Sequence, residues 1–143
     1  MREIPLKILG AEQISAMKAD LSSLGEVERV AATESRNAAY MAYVERRGHP
    51  VDYRKQLVSL LVNPAKQLSA MEVRAWGRVA DLIEDAEGEA VLLEEAEFQT
   101  LLQALQSSRF LAASKNIREF LCDVEGAKPI EVTKAASSEG QLS

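Results

Sequence analysis

The chain has 143 residues, 47% of them apolar and 27% charged, with a net charge of −5. That balance fits one globular domain, which at this length buries roughly 70% of the surface its unfolded form exposes. A single cysteine excludes an internal disulfide and a multi-cysteine zinc site, and seven aromatics leave the core to aliphatic side chains that suit helix packing.

The start, "MREIPLKILG", is too short and too charged for a signal peptide. Residues 3–8 alternate, with Ile4, Leu6 and Ile8 on one side and Glu3, Pro5 and Lys7 on the other. That is the period of a half-buried strand. Pro5 cannot donate to a ladder, so residues 1–10 are expected to form an edge strand or an extended arm.

From Ala11 the period becomes helical: Ile14, Met17, Leu21 and Leu24 make one stripe. "SLGE" (Ser23 to Glu26) has the form of a capping box and places a second helix start near Leu24. In that helix Val27, Val30, Ala31, Ala38, Met41 and Val44 mark the expected buried side. Glu34 interrupts the stripe, which points to weak or intermolecular packing there. "RRGHP" ends the helix at Gly48.

Pro50 suits the first turn of a third helix, with Tyr53, Leu57, Leu60 and Leu61 inward and "NP" at 63–64 as its stop. "SAME" (Ser69 to Glu72), a second capping box, opens a fourth. Val73, Trp76, Val79, Ala80 and Ile83 face its core, and Gly88 ends it. "EAVLLE" reads as a short strand. "EEAEFQTLLQALQ" is a fifth helix carrying Phe98, Leu101, Leu102 and Leu105, and "SSRFLAAS" is an apolar connection that must pack on something. A sixth helix presents Ile117, Phe120, Leu121 and Val124 and stops at Gly126, with Cys122 read as a small buried residue. Ile130 and Val132 suggest one more short strand in a segment, 127–143, that otherwise has the composition of a flexible tail. The expected architecture is a mainly α single domain of five to six helices over residues 11–126, with a minor two- or three-stranded patch.

The stretch "LIEDAEGEAVLLEEAEF" holds seven carboxylates: Glu84, Asp85, Glu87, Glu89, Glu94, Glu95 and Glu97. Read as a calcium loop from Asp85, position six is Ala90 and position twelve Ala96, so the turn glycine and the bidentate ligand are both missing. A helical di-metal site needs Glu-x-x-His pairs, and the chain has one histidine, His49. Nothing singles out a catalytic pair, and no nucleophile elbow, phosphate loop or zinc-helix motif occurs elsewhere. The reading is therefore non-enzymatic, with no cofactor, metal or small-molecule substrate. Glu94, Glu95 and Glu97 fall in a first helical turn, where negative charge is favourable. Glu84, Asp85 and Glu87 lie at a helix C-terminus, where it is not, and need solvent or a basic neighbour.

Residues 44–78 carry seven Lys/Arg against three acids, and residues 79–100 carry eight acids and no base. This polarity is expected to be satisfied within one molecule or by self-association of copies through the opposite flanks. For nucleic acid the basic stretch is modest and lacks a stacking platform; the connection "NPAKQLS" is also longer than a helix-turn-helix allows. A DNA-associated regulator using residues 44–78 is the alternative reading; it requires Arg46, Arg47, Arg54 and Lys55 to form one exposed stripe. No apolar run is long enough to span a bilayer. A cytoplasmic protein with protein partners is expected, with Tyr40, Tyr43, Arg46, Arg47, Glu94, Glu95 and Glu97 as candidate contacts.

Residues Tyr53 to Gly126 resemble small helical proteins of the structural and assembly region of tailed bacteriophages and prophages. The likeness rests on Met71, Arg74 and Asp81 on one helix, the acidic turn Leu93 to Ala96, and Ile117, Phe120, Asp123 and Val124 on the closing helix. It implies a part in virion assembly, as a tail-assembly chaperone or head–tail component, in the host cytoplasm or the virion.

Overall fold

The computed structural model describes residues 1–110 and 112–130. Among them are six helices and two small sheets: β1 Arg2–Pro5, β2 Ile8–Leu9, α1 Ala11–Met17, α2 Glu26–Arg47, β3 Val51–Asp52, α3 Tyr53–Val62, α4 Ala70–Asp85, β4 Ala90–Leu93, α5 Glu95–Ser107 and α6 Lys115–Glu125. The fold is mainly α, as its periodicity predicts.

The body is built by α3, α4 and α5, with α6 and β1 closing it. Tyr53, Leu57, Leu60 and Leu61 of α3 meet Trp76, Val79, Ala80 and Ile83 of α4, and Phe98, Leu101, Ala104 and Leu105 of α5 complete the layer; all are buried. Their three- and four-residue spacing places each set on one helix face. Val73 departs from its expected inward place and is exposed. The Ser69–Glu72 box forms as read: the Ser69 hydroxyl accepts from the Glu72 amide, and the Glu72 carboxylate accepts from the Ser69 amide.

The strand patch is split in two. β1 pairs antiparallel with β4, Ile4 opposite Val91, which carries Ile4 and Leu93 into the core. β2 pairs with β3, Ile8 opposite Asp52. The chain changes partner strand at Lys7, whose carbonyl accepts from the Tyr53 amide in the β2–β3 register, and Ile8 beyond it leaves the buried Ile4–Leu6 face and is exposed. Pro50 precedes β3 rather than opening α3; Asp52 is the cap, its carboxylate accepting from the Lys55 amide. The Ile130 amide donates to the Met1 carbonyl, and Arg2 bridges Pro129; Val132 lies outside the described residues.

The structure departs most from the sequence expectation at the start of α2, along its outer face, and at Cys122. No capping box forms at Ser23–Glu26: α2 starts at Glu26 behind Gly25, without a side-chain cap. Val27, Val30, Ala31, Ala38 and Met41, expected inside, are exposed, and Val44 is half-buried. Cys122 is exposed because Asn116, Phe120 and Val124 take the buried side of α6, and a residue two places from Phe120 points away from it.

Candidate interaction surface

α2 has 22 residues, spans about 33 Å at ~1.5 Å per residue, and buries a single side chain, Tyr43. Its less exposed positions (Ala32, Thr33, Arg36, Tyr40, Tyr43, Val44 and Arg47) recur every three or four residues and define the face that packs on α1 and, at the C-terminal end, on α6. That face is largely polar. Arg36 reaches across to the open end of α1, donating to the carbonyls of Ala16 and Ala19. The opposite face carries Val27, Val30, Ala31, Glu34, Ala38, Met41 and Glu45. Val27 is 78% exposed, Val30 52% and Met41 55%. The better hydrophobic stripe of this helix therefore points to solvent, and Glu26, Val27, Val30, Ala31 and Glu34 line a shallow depression along it.

A buried polar lock holds the C-terminal end of α2 in place. Asn116, on the first turn of α6, is the one buried polar side chain among the described residues. Its amide donates to the Tyr43 hydroxyl at 2.9 Å and to the His49 carbonyl at 3.1 Å, while its oxygen accepts from Arg47 Nε at 2.9 Å. Arg47 also pairs with Glu119, which raises its pKa further above the usual arginine value. One helical turn on, Asp123 accepts from the Tyr53 hydroxyl at 2.6 Å and pairs with Lys7 at 3.1 Å. Burial, then the Asp123 carboxylate, pushes the Tyr53 phenol well above its ordinary pKa. Gly48, at φ +88°, turns the chain away directly beneath Ser114, the cap of α6.

The seven sequence-derived contact residues divide between two places. Tyr40, Tyr43, Arg46 and Arg47 share the last turns of α2; Glu94, Glu95 and Glu97 cluster at the start of α5. Tyr43 is buried and Arg47 is engaged within the chain, whereas Arg46 is exposed with its guanidinium over the Tyr43 ring and Tyr40 is half-buried. Glu97 accepts from the Glu94 amide and so closes the first turn of α5. Glu95 bonds Gln99 and Arg2, which together hold its carboxyl below the usual range. Of the seven acids between Leu82 and Phe98, six are exposed and Glu97 is half-buried.

The basic neighbour of the α4 C-terminus is Arg54. Its guanidinium donates to the carbonyls of Ile83, Ala86 and Gly88 at 2.6, 2.7 and 3.0 Å. It contacts backbone oxygens rather than the carboxylates, and supplies the positive charge that the end of a helix favours. With Arg47 and Arg54 so engaged, Arg46 and Lys55 alone of the proposed basic stripe are exposed.

Sequence reasoning missed Asn116, the place of Arg54 on the backbone at the end of α4, and the full outward turn of α2, of which the interruption at Glu34 was the one sign. A weak signal existed for the first: Asn116 shares four-residue spacing with Phe120 and Val124. A cleft of about 510 Å³ beside the lock, lined in part by Val44, His49, Pro50, Phe110 and Ile117, went unread. No helix among the described residues is long and apolar enough to cross a membrane. No protein family, curated protein or solved structure matches the chain.

Proposed function

We propose that the protein is a non-catalytic interaction factor that offers the outer face of α2 to a partner helix, and that it serves virion assembly in the host cytoplasm or the virion. The observation that carries the reading is the inverted amphipathicity of α2. A helix that packs its polar side on its own chain and leaves Val27, Val30 and Met41 in water has kept apolar surface that intramolecular packing does not use. Such contiguous surface marks contact sites, and amphipathic helices dock through anchors at this spacing. The setting follows from the phage-like pattern at Met71–Asp81, Leu93–Ala96 and Ile117–Val124.

The test is a Val30→Asp, Met41→Asp variant expressed in place of the natural gene. Both side chains are exposed, so stability should stay within about 0.5 kcal/mol of the parent. Particle yield should fall to the level of a gene deletion. Normal yield from the folded variant would refute the reading.

A further inference from the structure

A helix with one face free could receive many partners, and one opposite-charge pair flanking this stripe fits a particular arrangement. The acids Glu26 and Glu28 open α2, and the bases Arg46 and Arg47 close it. Arg47 is turned inward to Asn116 and Glu119, leaving Arg46 as the exposed cation at that end. Glu28 and Arg46 are eighteen residues apart, five whole turns at about 3.6 residues each, so they stand on the same flank of the stripe. In an antiparallel pair of identical helices related by a two-fold axis, equal flanks meet. The Glu28 end of one copy then lies beside the Arg46 end of the other, and the contact occurs twice.

We infer that the occupant of the α2 outer face is a second copy of this chain, packed antiparallel about a two-fold axis near Asn37. The inference rests on the interaction role proposed above and names its partner. With the axis at Asn37, residues whose numbers sum to 74 lie level with each other. Glu28 faces Arg46 of the second copy, and Met41 of the second copy settles between Val30 and Glu34, at the edge of the depression lined by Glu26, Val27, Val30 and Ala31. Asn37 meets its own counterpart on the far flank. Ala31 and Ala38 are small enough for the backbones to approach closely, and the opposed helix dipoles reinforce the pairing. Glu28, whose carboxylate folds back over Gly25 in the single chain, swings outward to meet the arginine.

Two acids limit the strength of this association. Glu34 stands in the apolar stripe between the levels of Ala38 and Met41 of the second copy. Glu45, five whole turns beyond Val27 on the same line, lies near the acidic start of the other helix. A charged residue in such a seam costs stability. One helix pair of this length lies at or below the small end of specific interfaces, roughly 1,200 Å² in total. An interface of that size makes the dimer weak and reversible.

Sedimentation equilibrium of the full chain from micromolar to millimolar concentration tests the arrangement. The parent should follow a monomer–dimer equilibrium. Glu28→Arg and Arg46→Glu should each weaken it about tenfold, because each replaces two attractive contacts by two repulsive ones. The double variant, which exchanges the two charges, should recover the parent affinity within about threefold, and Glu34→Leu should tighten the dimer at least about tenfold. A parent that stays monomeric throughout, or a double variant as weak as either single one, would overturn the inference. If a monomeric parent still needed Val30 and Met41 for particle yield, the interaction role would survive with a different occupant; loss of both results would end both readings.

Discussion

Asn116 shows how much one polar side chain can decide. It lies where a leucine would look natural, on the stripe shared with Phe120 and Val124, yet it is fully buried with three protein partners. A buried amide is tolerable only when its hydrogen bonds are made, and the groups it satisfies become orphans when it is removed. Asn116→Ala should therefore destabilise the protein by about 2–3 kcal/mol in urea or guanidinium unfolding. Asn116→Leu separates polarity from volume: it fills the space but leaves the His49 carbonyl and the Arg47 Nε without a partner. It should recover less than half of the loss. Full recovery in the leucine variant would mean that the site is a packing position and that the hydrogen bonds contribute little.

At the scale of elements, three helix ends are tied down in a common way. α1, α4 and the chain leaving α6 each receive an arginine from a distant part of the sequence: Arg36 on Ala16 and Ala19, Arg54 on Ile83, Ala86 and Gly88, and Arg2 on Ala127. These side chains satisfy terminal carbonyls and tie one element to another at once. For α4 the consequence is measurable. Arg54→Ala should cost about 2–3 kcal/mol, and Arg54→Lys should restore little of it, since an ammonium cannot reach several carbonyls as a planar guanidinium does. Thermal unfolding of the two variants beside the parent distinguishes this from simple charge loss, for which lysine would suffice. None of these arginine bonds is visible in the sequence, because they join residues more than fifteen places apart. What was legible follows the same logic. α3, α4, α5 and α6 each carry a single broad apolar face, so spacing alone finds it, and the Ser69–Glu72 cap is local and therefore readable. α2 misled because periodicity identifies an apolar stripe without saying what covers it. Its inward face is held by Arg36, Tyr43 and Arg47, polar groups whose partners lie in α1, the turn just after it, and α6.

At the scale of the whole molecule, these differences divide the chain into parts of unequal resistance. The α3–α4–α5 layer is dense in buried aliphatic and aromatic groups, Trp76 among them, while α1 buries no side chain and α2 buries one. Regions with few buried apolar contacts open at lower free energy than the core, so α1 and the first turns of α2 should unfold ahead of the rest. The order can be read without labels. Trp76 is the sole tryptophan and is buried, so its fluorescence reports the body alone, whereas far-ultraviolet circular dichroism counts all helices, α2 being the longest. On heating a dilute sample, part of the helical signal should be lost several degrees before the Trp76 emission moves. Amides of α1 and the start of α2 should exchange with deuterium first, and those flanking Trp76 last. The gap should narrow as concentration is raised into the range where α2 finds a second copy, because a ligand that binds only the folded arm stabilises it by mass action. Coincident transitions at every concentration would show instead that the polar lock at Asn116 joins α2 to the body as one cooperative unit, and that the arm does not open on its own.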